Sequence, residues 1–251
     1  MKTRFIFILA LIIGSFSYAQ TTDELFSKAN DFYKNGQYSK AIQSYLKIEK
    51  QGFESDDLFF NLGNCYYKLN KVAPSIYYYE KALKLNPIHE DASNNLAFAK
   101  RMTIDIVEDL PKSFLQRFSS AVVQKLTYDT WAILAVVASF LAAFLFLMYY
   151  FSYSSKQKMF YFNTTIFIFF VMIVMVIFAF SNYDITQKSR SAIIFSLKSD
   201  IKNSPSIDGE EVFELHEGTK VYILDELSNW KKIKLADGKI GWINAADIKE
   251  I

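Results

Sequence analysis

The 251 residues include a single cysteine, two histidines, four prolines and eight glycines. One cysteine makes no intrachain disulfide. With two histidines it also gives no ligand cluster dense enough for a structural zinc site. Scarce glycine and proline, beside 51% apolar and 17% aromatic residues, exclude collagen-like and disordered chains, which lack apolar surface to bury. Neither charge sign dominates. Against 26 acidic residues stand 28 basic ones, and a formal +2 over this length excludes a nucleic-acid-binding patch as the general reading. No nucleophile elbow, phosphate loop or dinucleotide fingerprint occurs. No reaction is therefore read from the sequence, and no catalytic, cofactor-binding or metal-binding residue is assigned. What is abundant is apolar side chain, including 24 phenylalanines, and it must lie in a core or in lipid.

Three apolar runs decide between these. Residues 1–19 read as a signal peptide: Lys2 and Arg4 lead, Phe5–Phe16 is apolar, and Ser17-Tyr18-Ala19 supplies small residues before Gln20. An uncleaved anchor is the alternative. Residues 131–151 and 160–180 are each 21 residues without a charge, about 31 Å as helix and near the hydrocarbon thickness of a bilayer. Trp131 at one end, with Tyr149, Tyr150, Tyr153 and Tyr161 around the other, suits an interfacial aromatic belt. Residues 20–130 balance at 14 basic and 14 acidic, and 181–251 carry 10 basic and 12 acidic. The positive surplus is Lys2, Arg4, Lys156 and Lys158. The positive-inside rule makes 152–159 a cytoplasmic loop and puts 20–130 and 181–251 together on the other, extracytoplasmic side.

Residues 22–103 repeat with a period of 34: Phe26 returns as Phe60, Asn30 as Asn64, Tyr33 as Tyr67, Tyr45 as Tyr79 and Asn61 as Asn95. That period belongs to tetratricopeptide helix-turn-helix units. The spacing predicts units 22–55 and 56–89 and a capping helix 90–103, five helices in all. Ala29 and Gly63 are small where paired helices cross, Gly36 and Asn70 suit left-handed helix ends, and Pro87 stops the last helix of the pair. Residues Phe59-x2-Leu62-Gly63-x2-Tyr66, Ser75-x3-Tyr79-x2-Ala82 and Pro87 closely resemble the tetratricopeptide family. The resemblance implies a concave partner-binding face of Phe26, Asn30 and Tyr33, then Phe60, Asn64 and Tyr67, then Asn94, Phe98 and Arg101. Phe26 and Phe60 as core residues is the alternative. On the groove reading the asparagines hydrogen-bond a bound peptide, so replacing Asn30 and Asn64 weakens capture and leaves the melting temperature nearly unchanged. Cys65 reads as a buried, inert thiol and His216 as structural, without an Asp partner at a recognisable spacing.

Beyond 181 short alternating runs predict strands over 192–197, 219–225, 231–235 and 239–243, with Asp237-Gly238 as a two-residue hairpin turn. Residues 202–206, 215–221, 229–233 and 237–243 look like a bacterial SH3-type barrel spanning 191–251. Trp230 and Trp242 are either its core or its partner-binding groove. Residues 104–130 and 181–191 read as short tethers that hold two separate domains near one membrane surface.

The fold class is thus a multidomain membrane protein: an all-α repeat solenoid, a two-helix transmembrane hairpin and a small all-β barrel. In this order, the segments resemble the BatE family of the Bacteroides-type aerotolerance operon, most specifically over 59–67, 79–87, 215–221 and 237–243. The resemblance implies a scaffold that binds von Willebrand A domain Bat proteins and a MoxR-type ATPase in envelope stress or oxygen tolerance. A peptidoglycan-binding sensor is the alternative reading. Neither requires a cofactor.

Overall fold

A computed structural model describes residues 22–108 and 110–251. The expected signal peptide lies outside the described residues. The repeat region has the five expected helices: α1 (22–34), α2 (Tyr38–Lys50), α3 (Asp56–Lys68), α4 (Val72–Leu85) and α5 (Glu90–Lys100). Each first helix ends alike. Gly36 (φ 71°) and Asn70 (φ 54°) take the left-handed conformation. Their amides and those that follow bond back to carbonyls of the last turn, satisfying the orphan acceptors there. Gly63 faces Tyr79 so closely that a β-carbon there would lie 2.6 Å from the ring. The two helices of that unit therefore cross through the absence of a side chain.

Residues 104–130, expected to be a tether, contain structure. The helix α6 (Phe114–Ala121) opens with a reciprocal capping box, in which the Ser113 hydroxyl accepts from the Gln116 amide and the Gln116 side chain accepts from the Ser113 amide. A 3-10 turn (Val123–Lys125) leads into α7 (Tyr128–Phe151).

Helices α7 and α8 (Ser155–Lys188) pack as an antiparallel pair, both long and apolar enough to cross a membrane. Ala135, Ala138 and Ala142, at i, i+3 and i+7, are the residues of α7 buried against α8. Small side chains there let the backbones approach. The expected loop 152–159 contracts to 152–154: Lys156 and Lys158 lie in the first turn of α8, because Lys, Gln and Met all sustain a helix. The second tether contracts as well. The helix α8 is about 51 Å long at 1.5 Å per residue, and only Ser189 and Arg190 separate it from the first strand.

The C-terminal part is a seven-stranded antiparallel sheet, β1 (Ser191–Ile194), β2 (Lys198–Lys202), β3 (Glu211–His216), β4 (Lys220–Leu227), β5 (Trp230–Lys234), β6 (Ile240–Asn244) and β7 (Ile248–Glu250), in the order β3-β2-β6-β5-β4-β1-β7. Strands β2, β3 and β7 are additions to the expected set, and the first expected strand stops at Ile194. The β5–β6 connection is not a two-residue turn. The Gly238 amide donates to the Leu235 carbonyl and the Leu235 amide to that of Lys239, with Gly238 alone left-handed. This is the longer hairpin loop in which one glycine ends the turn. The barrel core is aliphatic, formed by Ile194, Ile201, Leu215, Val221, Ile223, Ile233 and Ile243 with their neighbours.

Candidate functional site

Two surfaces concern function: the face lined by α1, α3 and α5, and the junction where the barrel meets the repeats.

On the first, the period-34 residues form a hydrogen-bonded ladder. The Tyr45 hydroxyl and the Asn61 amide both donate to Asn30 Oδ1. One repeat later the Tyr79 hydroxyl (2.7 Å) and the Asn95 amide (2.8 Å) donate to Asn64 Oδ1. Tyr45 and Tyr79 are fully buried, and burial raises both phenols. The two asparagine oxygens are thus consumed inside the stack, joining each first helix to its own second helix and to the next first helix. Phe26 and Phe60 pack partly buried on the core, edge-on or tilted against Tyr45 and Tyr79, and Phe60 also meets the His89 ring at 4.8 Å. Tyr33 and Tyr67 are half-buried beside them. Asn94, Phe98 and Arg101 are exposed, with the Arg101 guanidinium 5.1 Å from the Phe98 ring centre. Of the nine expected groove residues, these three are free of the ladder and the core. Cys65 is buried, its thiol pushed up to about 12 by desolvation, which fits an inert side chain.

The expected independence of Asn30 and Asn64 from stability is therefore corrected. Replacing either strands a buried tyrosine hydroxyl, at a cost of about 1–3 kcal/mol each. We expect Asn30→Ala with Asn64→Ala to lower the melting temperature of the repeat unit markedly, read by circular dichroism. An unchanged melting curve would contradict the ladder.

The second surface was not expected. The repeat unit and barrel are in contact. From the barrel, Ile193 is fully buried in the repeat core, and the Phe195 ring meets Tyr77 edge-on at 5.7 Å. Lys249 Nζ lies 4.3 Å from the centre of the Tyr77 ring. Gly218 (φ 87°) is pressed so tightly against the repeats that a β-carbon would meet Thr103 at 2.8 Å and Val72 at 2.9 Å. Only glycine suits both the space and the dihedral.

Two carboxylates pin this contact. Glu80, on α4, is 9% exposed and bonded to Lys220 of β4 at 2.6 Å and Lys100 of α5 at 3.0 Å. Burial alone raises its carboxyl, but the two ammonium groups prevail and hold it below the usual range. Asp105, just beyond the repeats, accepts from the His216 amide (2.6 Å), contacts His216 Nδ1 (2.8 Å) and accepts from the Thr219 hydroxyl (2.7 Å). His216 thus has an aspartate partner, 111 residues away in sequence. The Thr219 hydroxyl is spent on the same carboxylate rather than on the imidazole, so this is a brace. Val107 then packs on the barrel core, and the Leu110 amide donates to the Ala236 carbonyl. One sequence signal pointed here. Where the first unit has Ile42-Gln43-Ser44-Tyr45, the second has Ile76-Tyr77-Tyr78-Tyr79, all buried, so α4 needs cover on a face that α2 fills with polar residues.

On the barrel's outer surface Trp230 and Trp242 are half-buried and outside the core. Trp230 lines a shallow groove with Lys198, Asp200, Lys202, Asn244 and Asp247, and Lys232 lies over Trp242. Asp200, Glu211 and Glu214 converge on an exposed edge, where Lys198 pairs with Asp200 and Glu214.

The Asp105 brace has a definite pH dependence. Burial raises this carboxyl, but the bonds from Thr219 and His216 outweigh it and hold it below the usual range. A depressed folded value contributes stability above the unfolded carboxyl value, about 3.9, and loses it as pH falls through the folded value. We expect exchange protection of the His216 amide to decline on acidification below about pH 4, and Asp105→Asn to abolish that decline. Equal acid dependence in both proteins would contradict the brace.

Residues 57–89 match the family model of the tetratricopeptide repeat, and residues 200–249 that of the bacterial SH3 domain. No curated protein matches the chain. The chain therefore carries a tetratricopeptide repeat and a bacterial SH3 domain, with two long apolar helices between them.

Proposed function

We propose that the protein is an adaptor anchored in the inner membrane by α7 and α8, presenting the repeat unit and the barrel to other envelope proteins on the periplasmic side. The observation that carries this reading is the contact between the two interaction modules. A partner meets one composite surface rather than two modules on strings. The charge distribution supports the orientation, since Lys156 and Lys158 flank the short 152–154 turn at the far end of the hairpin from both modules. The absence of charge in 131–151 and 160–180 speaks against an ion path and for an anchor. Resemblance to the BatE family extends the reading to a complex with von Willebrand A domain Bat proteins and a MoxR-type ATPase in aerotolerance or envelope stress. No reaction and no cofactor are assigned.

A second reading has its own observation. The barrel groove beside Trp230 is open, with cationic, anionic and amide side chains around an aromatic ring, a surface that suits peptidoglycan. On that reading the barrel holds the cell wall and the repeats recruit a response protein.

The test uses the exposed end of the repeat face. Phe98→Ala with Arg101→Ala, in the full-length protein crosslinked in native membranes, should reduce capture of periplasmic partner proteins at least several-fold with no shift in melting temperature. Undiminished capture would count against the repeat face as the binding surface. Retention on cell-wall sacculi that is lost in Trp230→Ala would favour the second reading.

A further inference from the structure

We propose that α6 is a third membrane contact, an interfacial helix lying on the leaflet beneath the repeats and the barrel, with anionic lipid headgroups as its partner. The inference rests on the reading of α7 and α8 as membrane spans and goes beyond it.

The helix is short and fully two-faced. At 100° per residue, Phe114, Phe118, Leu115 and Ala121 fall within about 120° of arc, and Gln116, Arg117, Ser119 and Ser120 fill the rest. In a water-exposed helix the apolar arc would be covered by protein. Here it is open: Phe114 is 80% exposed, Leu115 75% and Phe118 46%. These three lie within five residues.

Two observations identify what covers this face. The first is continuity with the hairpin. The Phe118 ring meets Phe178 of α8 at 6.3 Å, and Phe178 meets Trp131 of α7 at 5.2 Å. Trp131 Nε1 donates to the Val123 carbonyl in the turn after α6 (2.9 Å), and the Asn182 amide of α8 donates to the Leu126 carbonyl. These bonds fix α6 at the level where α7 begins and α8 emerges, the depth at which tryptophan and tyrosine border a bilayer. The second is charge. From Leu110 to Lys125 the basic residues are Lys112, Arg117 and Lys125, with no acid among them. Arg117 Nε bonds the Lys112 carbonyl, which draws its head toward the helix start. A short helix with open aromatics on one face, a polar face whose one charge is Arg117, and Lys112 and Lys125 at its two flanks suits the boundary of an anionic leaflet.

The test uses full-length protein in nanodiscs containing anionic lipid, in a Cys65→Ala background with single nitroxide labels at Leu115→Cys (apolar face of α6), Ser120→Cys (polar face) and Phe167→Cys (middle of α8). Collision with oxygen reports lipid, and collision with a water-soluble nickel chelate reports water. The label at 167 should read as deep lipid, that at 115 as shallow lipid and that at 120 as water, and replacing anionic by zwitterionic lipid should shift 115 toward water. Lipid at 167 with water at both 115 and 120 overturns the interfacial helix and leaves the spans standing. Water at 167 overturns the spans and this inference with them. No shift at 115 on removing the anionic lipid overturns the assignment of its headgroup partner.

Discussion

A carboxylate buried between two modules must be answered from both. Glu80 sits in α4 with its side chain 10% exposed, and its two ammonium partners come from α5 of the repeats and β4 of the barrel. Removing either lysine leaves the buried carboxylate with half its compensation, although Lys100 itself is 46% exposed and its share is partly screened by solvent. The repeats and barrel are thus joined by an interaction that neither can complete alone. Around it the apolar contact of Ile193 and Phe195 with α4, and the Asp105 brace with His216 and Thr219, follow the same register.

That register shapes what the protein can present. The second helices of a repeat stack form its outer side. The barrel covers α4 there and leaves the face of α1, α3 and α5 open. The Trp230 groove is lined by Lys198, Asp200, Lys202, Asn244 and Asp247, whereas the barrel residues that touch the repeats are Ile193, Phe195, Gly218, Lys220 and Lys249. Both modules therefore keep their open faces while fixed to each other. With Ser189 and Arg190 as the only link from α8 to β1, the assembly is held close to the hairpin.

How much of this is legible in the sequence depends on how far apart the interacting residues are. The repeats read clearly because each contact recurs 34 residues later: Asn30 and Asn64, Asn61 and Asn95, Tyr45 and Tyr79 mark the same three positions of one motif. Their role was less legible. The period shows that Asn30 and Asn64 share a face, but whether they serve a ligand or a buried tyrosine depends on a hydroxyl 15 residues away. The apolar helices follow from length and lack of charge, while their true ends do not, since Lys156, Lys158, Asp184 and Lys188 are compatible with helix beyond the apolar part. In the barrel β6 alternates along its length and β4 over its first four residues. Strand β2 offers one fully apolar residue, Ile201, and β7 is three residues long, so neither carries a pattern of its own. The junction was the least legible, because Glu80 and Lys220 are separated by 140 residues. Only Tyr77 and Tyr78, standing where the first repeat has Gln43 and Ser44, announced that something covers the outer side of α4.

The central claim is that repeats and barrel form one rigid body. Distance measurement between spin labels at Gln43→Cys on α2 and Asp225→Cys on β4, in full-length Cys65→Ala protein, tests it directly. Both sites are exposed and lie on opposite partners of the junction. A single narrow distance distribution, the same in detergent and in nanodiscs and broadened by Glu80→Ala with Asp105→Ala, is the expected result. A broad distribution in the unaltered junction would show two modules moving independently on their tethers, and would contradict the account.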